Sequence, residues 1–163
     1  MAVTQQLARL SADRLAACRR SVEELDRLCS FELLPSSDHL DLDWSPGPIL
    51  RACELGQVTP ASLTALRRAL AGDGEINPAY RTEHPVTALE PDAVADVTGL
   101  LGYANPEAAL AAVPLDAAAA LAALGMPAFD GHPQAYLQHN LAALRDFYVH
   151  AARRRLAVAL WWD

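Results

Sequence analysis

The C-terminal segment constrains the fold more than any other part of the chain. Apolar residues recur at the spacing of one helix face through Leu137, Leu144 and Tyr148. This stripe predicts a single helix from about Pro133. The sequence LAVALWWD that follows is an apolar run of strand length. The segment therefore predicts a long helix that leads directly into a strand.

A second strand is predicted near the other end of the sequence. Residues 2–10, AVTQQLARL, alternate in part, with Val3, Gln5 and Leu7 on one face. Helical patterns fill most of the sequence between the two strands. Pairing the strands would close residues 1–163 into a single domain. The sequence therefore predicts an α+β fold, in which a small sheet pairs the N- and C-terminal strands and is covered by several α-helices.

One region interrupts the helical patterns. Residues 31–50, FELLPSSDHLDLDWSPGPIL, are punctuated by proline and glycine, which predicts turns and loops. Pro46 and Pro48 disfavour helical geometry in the residues before them. We therefore expect the next helix to begin later, around Ile49.

Composition and charge argue against several classes of protein. The formal net charge is −7, and an acidic surface repels phosphate backbones, so we expect no nucleic-acid partner. The Ala-rich residues 108–124 are interrupted by Pro114 and Asp116, so we expect no membrane span. Three cysteines without a Cys-x-x-Cys pair indicate reduced thiols and a cytoplasmic protein. Abundant Ala and Arg without Lys are typical of a GC-rich bacterial genome, such as an actinobacterial one.

A weak pattern for metal or acid–base chemistry lies in SDHLDLDW. His39, Asp41 and Asp43 alternate there with two leucines. In an extended segment the imidazole and both carboxylates would share one face, and such a set can hold a divalent metal or act as an acid–base pair. His84, in the loop RTEHP, is a further catalytic candidate that could meet His39 in the fold. The alternative is structural: the leucines anchor a loop to the core, while the acids cap a turn or stay solvated.

The aromatic residues are few and lie at the ends of predicted elements. Trp44, Tyr136, Trp161 and Trp162 are the candidates for binding a ligand or partner. The adjacent Trp161 and Trp162 must face opposite sides of a strand. Either helices cover both sides, or one tryptophan lines a pocket or an interface.

Several segments together resemble the YfbM-like family, a group of bacterial domains of unknown function. They are the opening MAVTQQLARLS, the LDLD after a helical pair, the TALEPDAVADV helix and the ending LRDFYVHAARRRLAVALWWD. The resemblance covers nearly the whole chain and is strongest at both ends. It implies a small cytosolic α+β domain with no established cofactor, and it supplies no catalytic residues. Family members follow LDLD with Lys and then, two places later, Trp, whereas here Trp44 follows Asp43 directly and SPGP comes next.

These observations lead to two hypotheses of function. The preferred one is a non-catalytic binding or interaction protein, accessory or immunity-like, that takes a protein partner or a small molecule without a cofactor, as a monomer or homodimer. It rests on the lack of a G-x-S-x-G or glycine-rich phosphate motif, the acidic composition and the tryptophan pair. The alternative is a small-molecule enzyme, an isomerase, cyclase or hydrolase of specialised metabolism, in which His39, Asp41 and Asp43 supply acid–base groups or ligate a divalent metal.

Overall fold

An antiparallel sheet of five strands forms the centre of the structure, a computed structural model that describes residues 3–163. Its two longest strands are β1 (Gln5–Leu10) and β5 (Ala157–Trp162). They pair along their whole length, with Leu7 opposite Leu160 near the centre. The predicted α+β fold, with a sheet that pairs the N- and C-terminal strands, is confirmed.

The sequence pattern does not predict the other three strands. They are β2 (His39–Asp41), β3 (Gly74–Glu75) and β4 (Thr87–Leu89), and the strand order is β2-β1-β5-β4-β3. Two or three residues are too few for an alternating pattern to appear. These strands form because the neighbouring backbone supplies hydrogen-bond partners.

Eight α-helices surround the sheet within residues 3–163. They are α1 (Ala12–Arg20), α2 (Val22–Cys29), α3 (Pro46–Leu55), α4 (Pro60–Ala71), α5 (Pro91–Leu101), α6 (Pro106–Leu110), α7 (Ala117–Leu124) and α8 (Pro133–Arg153). The side chains of Ser11, Ser21 and Thr59 each accept a hydrogen bond from a backbone amide in the first turn of α1, α2 and α4. No helix in this range combines the length and apolar content needed to cross a membrane.

The helix α3 begins at Pro46, earlier than the start at Ile49 that the prolines predict. Proline is tolerated in a first turn because the amides there have no acceptor inside the helix. Ser45 takes helical angles, φ −69° and ψ −22°, although a proline follows it. Its hydroxyl donates to the Leu42 carbonyl at 2.6 Å, which holds this conformation. Residues 42–45 alone therefore connect β2 to α3.

Helices cover both faces of the sheet. On one face, Leu7 and Leu160 belong to the larger core, which α3 to α8 complete. On the other face, Ala8 and Ala159 pack in a smaller core against α1 and α2. Both cores share the strands β1 and β5, and this arrangement explains why every residue of β1 is buried.

The C-terminal end of α4 ties three other elements together. The last four carbonyls of a helix have no amide donor within the helix, so other donors must pair with them when they are buried. Here each carbonyl accepts a hydrogen bond. The Gly72 amide donates to Arg68 at 2.9 Å, and the Tyr148 hydroxyl donates to Ala69 at 2.7 Å. Gln5 Nε2 donates to Leu70 at 2.7 Å, and the Thr87 hydroxyl donates to Ala71 at 2.8 Å. This end of α4 is thereby joined to β1, β4 and α8.

Candidate functional site

The segment SDHLDLDW forms a short strand and then a tight turn that exposes Trp44. The carboxylate of Asp41 accepts from the Asp43 amide at 2.7 Å. Asp43 has a φ of +53°, a left-handed conformation that Asp tolerates better than most residues. The Ser45 amide closes the turn by donating to the Leu42 carbonyl at 3.0 Å. As a result Leu42 is fully buried, whereas Trp44 is 51% exposed.

Tyr136, in the first turn of α8, holds this turn in place. Its hydroxyl donates to Asp43 Oδ2 at 2.9 Å. Burial raises the pKa of Tyr136 and the Asp43 carboxylate raises it further, while the Trp44 backbone amide acts in the opposite direction. The hydroxyl therefore stays protonated at neutral pH and serves as a hydrogen-bond donor. Three of the predicted site residues are thus brought together: Asp43, Trp44 and Tyr136.

A pocket of about 350 Å³, here called the Trp44 pocket, opens beside this turn. The start of α3 and the loop between α7 and α8 form its other walls. The lining residues are Trp44, Pro48, Gly125, Met126, Pro127, Ala128 and Phe129. All of these residues are apolar, and none of them carries a nucleophile or a titratable group. Such a pocket can bind an apolar molecule, but its walls offer no group to react with it.

The sequence prediction does not identify the α7–α8 loop as part of the site. GMPAFDGHP contains the Gly and Pro residues of an ordinary turn. One feature of the sequence could have indicated that this loop belongs to the site. It is the pair of large apolar residues, Met126 and Phe129, in a loop where polar residues are usual. Met126 is 7% exposed, and the ring of Phe129 lies 4.7 Å from that of Tyr136 between centroids. The loop is therefore packed against α8.

His39 lies apart from this turn, on the side of the smaller core. Its ring packs 5.2 Å from Phe31 and 6.1 Å from Trp161, measured between centroids. Asp43 leaves the strand through its positive φ, so His39, Asp41 and Asp43 do not share one face. Across residues 3–163, no three His, Cys, Asp or Glu side chains are grouped so that they could hold a metal ion. This geometry favours the structural interpretation of SDHLDLDW.

The partly buried imidazole of His39 predicts a specific dependence of stability on pH. Burial lowers the pKa of His39, and the Leu34 backbone and the Asp38 carboxylate offset only part of that shift. In the unfolded chain His39 takes up a proton at about pH 6.5, whereas in the folded chain it does so only at a lower pH. The stability linked to His39 is therefore complete above about pH 6.5 and is lost as the pH falls below this value.

We expect the His39→Phe variant to lose this dependence, because phenylalanine keeps the aromatic packing and cannot be protonated. The free energy of unfolding of the variant minus that of the wild type should grow more positive as the pH falls from about 7.5 to about 5. Urea titrations across this range measure the difference. A difference that stays constant would show that His39 titrates alike in the folded and unfolded chains.

The two C-terminal tryptophans lie on opposite faces of β5, as strand geometry requires. Trp161 is 3% exposed and belongs to the smaller core, whereas Trp162 is 38% exposed. The ring of His84 lies 6.1 Å from that of Trp162 between centroids. The structure thus places His84 beside Trp162 at the end of β5, while His39 contacts Trp161 in the core.

The fold and the pocket define an α+β protein with an apolar cavity between the turn at Trp44 and the α7–α8 loop. No protein-family model matches the chain, and no curated protein matches it. Among solved structures, YfbM from Escherichia coli, a protein of unknown function, is similar with a TM-score of 0.59 and 13% identity. The similarity covers 98% of this chain and 99% of that chain. It shows the fold alone, and it confirms the YfbM-like fold that the sequence resemblance implies.

Proposed function

We propose that this chain is a cytosolic, non-catalytic binding module whose Trp44 pocket takes a small, flat, apolar molecule. The observation that carries the proposal is the half-exposed indole of Trp44, which forms one wall of a cavity lined only by apolar residues. Aromatic and apolar walls are typical of small-molecule sites. The volume of about 350 Å³ lies within the usual range for such sites, about 300–1,000 Å³.

The turn that carries Trp44 is fixed before any ligand arrives. Asp41 and Ser45 close it by hydrogen bonds, and Tyr136 holds Asp43 from α8. The Asp43 carbonyl also accepts from the Gln5 amide at 3.1 Å, which joins the turn to β1. A preformed wall spares the ligand the entropic cost of ordering it, and this supports binding by a rigid pocket.

An anionic ligand does not suit the surroundings. The carboxylate of Asp43 lies beside Trp44 and the protein carries a net charge of −7, so an anion would be repelled. The enzyme hypothesis draws less support from this arrangement, because Asp43 is engaged with Tyr136 and His39 packs among aromatic rings elsewhere.

The Trp44→Ala variant tests the proposal. We expect it to bind the neutral fluorescent probe N-phenyl-1-naphthylamine about tenfold more weakly than the wild type, since a stacking wall is removed. Folding should be retained because the indole is half exposed. Titration of the probe, followed by the increase in its fluorescence, measures the dissociation constant.

Two further variants make this test specific. Tyr103 is 77% exposed and does not line the pocket, so Tyr103→Ala is the matched control and should bind the probe like the wild type. Ala128→Trp should block binding by filling the cavity while it leaves Trp44 in place. Unchanged affinity in both Trp44→Ala and Ala128→Trp would show that the probe binds elsewhere and would contradict the proposal.

A further inference from the structure

A second cleft lies at the end of the sheet where β1 begins and β5 ends. The indole of Trp162 forms its outer wall, and the loop between β3 and β4 brings the His84 ring against that indole at a tilt of 55°. Behind the two rings is a cavity of about 230 Å³, with Leu160 among its apolar walls. A half-exposed indole again stands beside an unfilled space, and the lining here also includes polar side chains.

Gln5 supplies the most informative of these polar groups. The residue is 3% exposed, and its Nε2 donates to the Leu70 carbonyl at 2.7 Å. This bond fixes the orientation of the carboxamide, because the carbonyl oxygen can be paired only with the NH₂ group. The other atom, Oε1, is buried and has no hydrogen-bond partner among residues 3–163. Buried acceptors are nearly always paired in folded proteins, so an unpaired one on a residue that lines a cavity points to a donor that enters from the cavity.

Thr87, across the cavity, adds a second acceptor. Its hydroxyl hydrogen is already used, since Oγ1 donates to the Ala71 carbonyl at 2.8 Å, and the oxygen keeps lone pairs free. The cleft therefore combines acceptors with a flat aromatic wall. A molecule that matches it carries hydrogen-bond donors on a planar ring.

We propose that this cleft binds a small planar heteroaromatic molecule, whose ring stacks on Trp162 and whose ring N–H donates to Gln5 Oε1. The site is separate from the Trp44 pocket and shares no lining residue with it. Gln5 thus has two functions: Nε2 caps the end of α4, and Oε1 receives the ligand.

The test compares benzimidazole with 1-methylbenzimidazole, which has the same ring system but lacks the N–H. Isothermal titration calorimetry on the whole chain should give a dissociation constant about tenfold lower for benzimidazole, the change expected for one hydrogen bond. This probe pair examines Gln5 without a substitution in the core, where Gln5→Leu could unfold the protein.

Two variants locate the site. Trp162→Ala should weaken benzimidazole binding about tenfold through the loss of stacking, and Trp44→Ala should leave it unchanged. Equal affinity for the two probes, retained affinity in Trp162→Ala, or no binding of benzimidazole would each overturn the proposal. A loss in Trp44→Ala instead of Trp162→Ala would assign the probe to the Trp44 pocket and would likewise overturn it.

Discussion

Replacing Asp38 with alanine is expected to lower the free energy of unfolding by about 3–5 kcal/mol, because it leaves a buried guanidinium without a counter-charge. Asp38 is 8% exposed, and its Oδ1 lies 3.3 Å from a guanidinium nitrogen of Arg9 and 2.6 Å from one of Arg154. Burial lowers the pKa of Arg9, and Asp38 opposes this shift. Without Asp38, the Arg9 guanidinium keeps the Ser37 carbonyl and the face of the Phe147 ring.

Urea unfolding of three variants separates this effect from simple loss of an ion pair. Arg154→Ala removes the exposed partner, whose side chain is 54% exposed, and should cost at most about 1 kcal/mol. The double variant Arg9→Met with Asp38→Ala should be more stable than Asp38→Ala alone, since no buried charge remains. If Asp38→Ala costs no more than Arg154→Ala, Arg9 does not depend on Asp38 for its burial.

Replacing Tyr148 with alanine is the second change with a large expected effect, a loss of about 3–5 kcal/mol. Tyr148 is fully buried at the centre of the larger core. The truncation leaves a cavity and also removes the donor to the Ala69 carbonyl at the end of α4. The same urea titrations measure the loss.

Tyr148→Phe isolates the hydrogen bond from the packing. Phenylalanine fills nearly the same space but leaves the Ala69 carbonyl unpaired inside the core, so we expect a loss of about 1–3 kcal/mol. Tyr103→Ala, at an exposed position, should change the stability by no more than about 0.5 kcal/mol. Wild-type stability in Tyr148→Phe would show that water satisfies the Ala69 carbonyl.

The sequence predicts the elements whose stability is encoded locally. The apolar stripe of α8 has the helical period, and β5 is an apolar run of strand length. The strands β2, β3 and β4 are different, because their two or three residues depend on pairing with distant backbone. Pro46 also misleads as a sequence signal, since it lies inside the first turn of α3, where it is tolerated.

The sequence predicts part of the candidate site, but it predicts neither the α7–α8 loop nor the way the site is assembled. Trp44 and Tyr136 are predicted as binding residues, yet the bond from Tyr136 to Asp43 joins positions 93 residues apart. The spacing of residues in a sequence predicts contacts within one helix or strand, so it does not predict a bond between positions so far apart. The grouping of His39 with Asp43 fails for a local reason, because the positive φ of Asp43 turns the chain out of the strand. A left-handed aspartate cannot be told from an extended one by sequence.

The most direct test of the Trp44 pocket is the methyl resonance of Met126 in a protein labelled with methyl-¹³C methionine. The chain has two methionines, and Met126 lines the pocket, so its signal can be assigned with a Met126→Leu variant. Saturation with N-phenyl-1-naphthylamine should shift the Met126 methyl resonance through the ring current of the bound probe, and Ala128→Trp should abolish the titration. An unchanged Met126 resonance in the wild type at saturation would contradict binding in the Trp44 pocket.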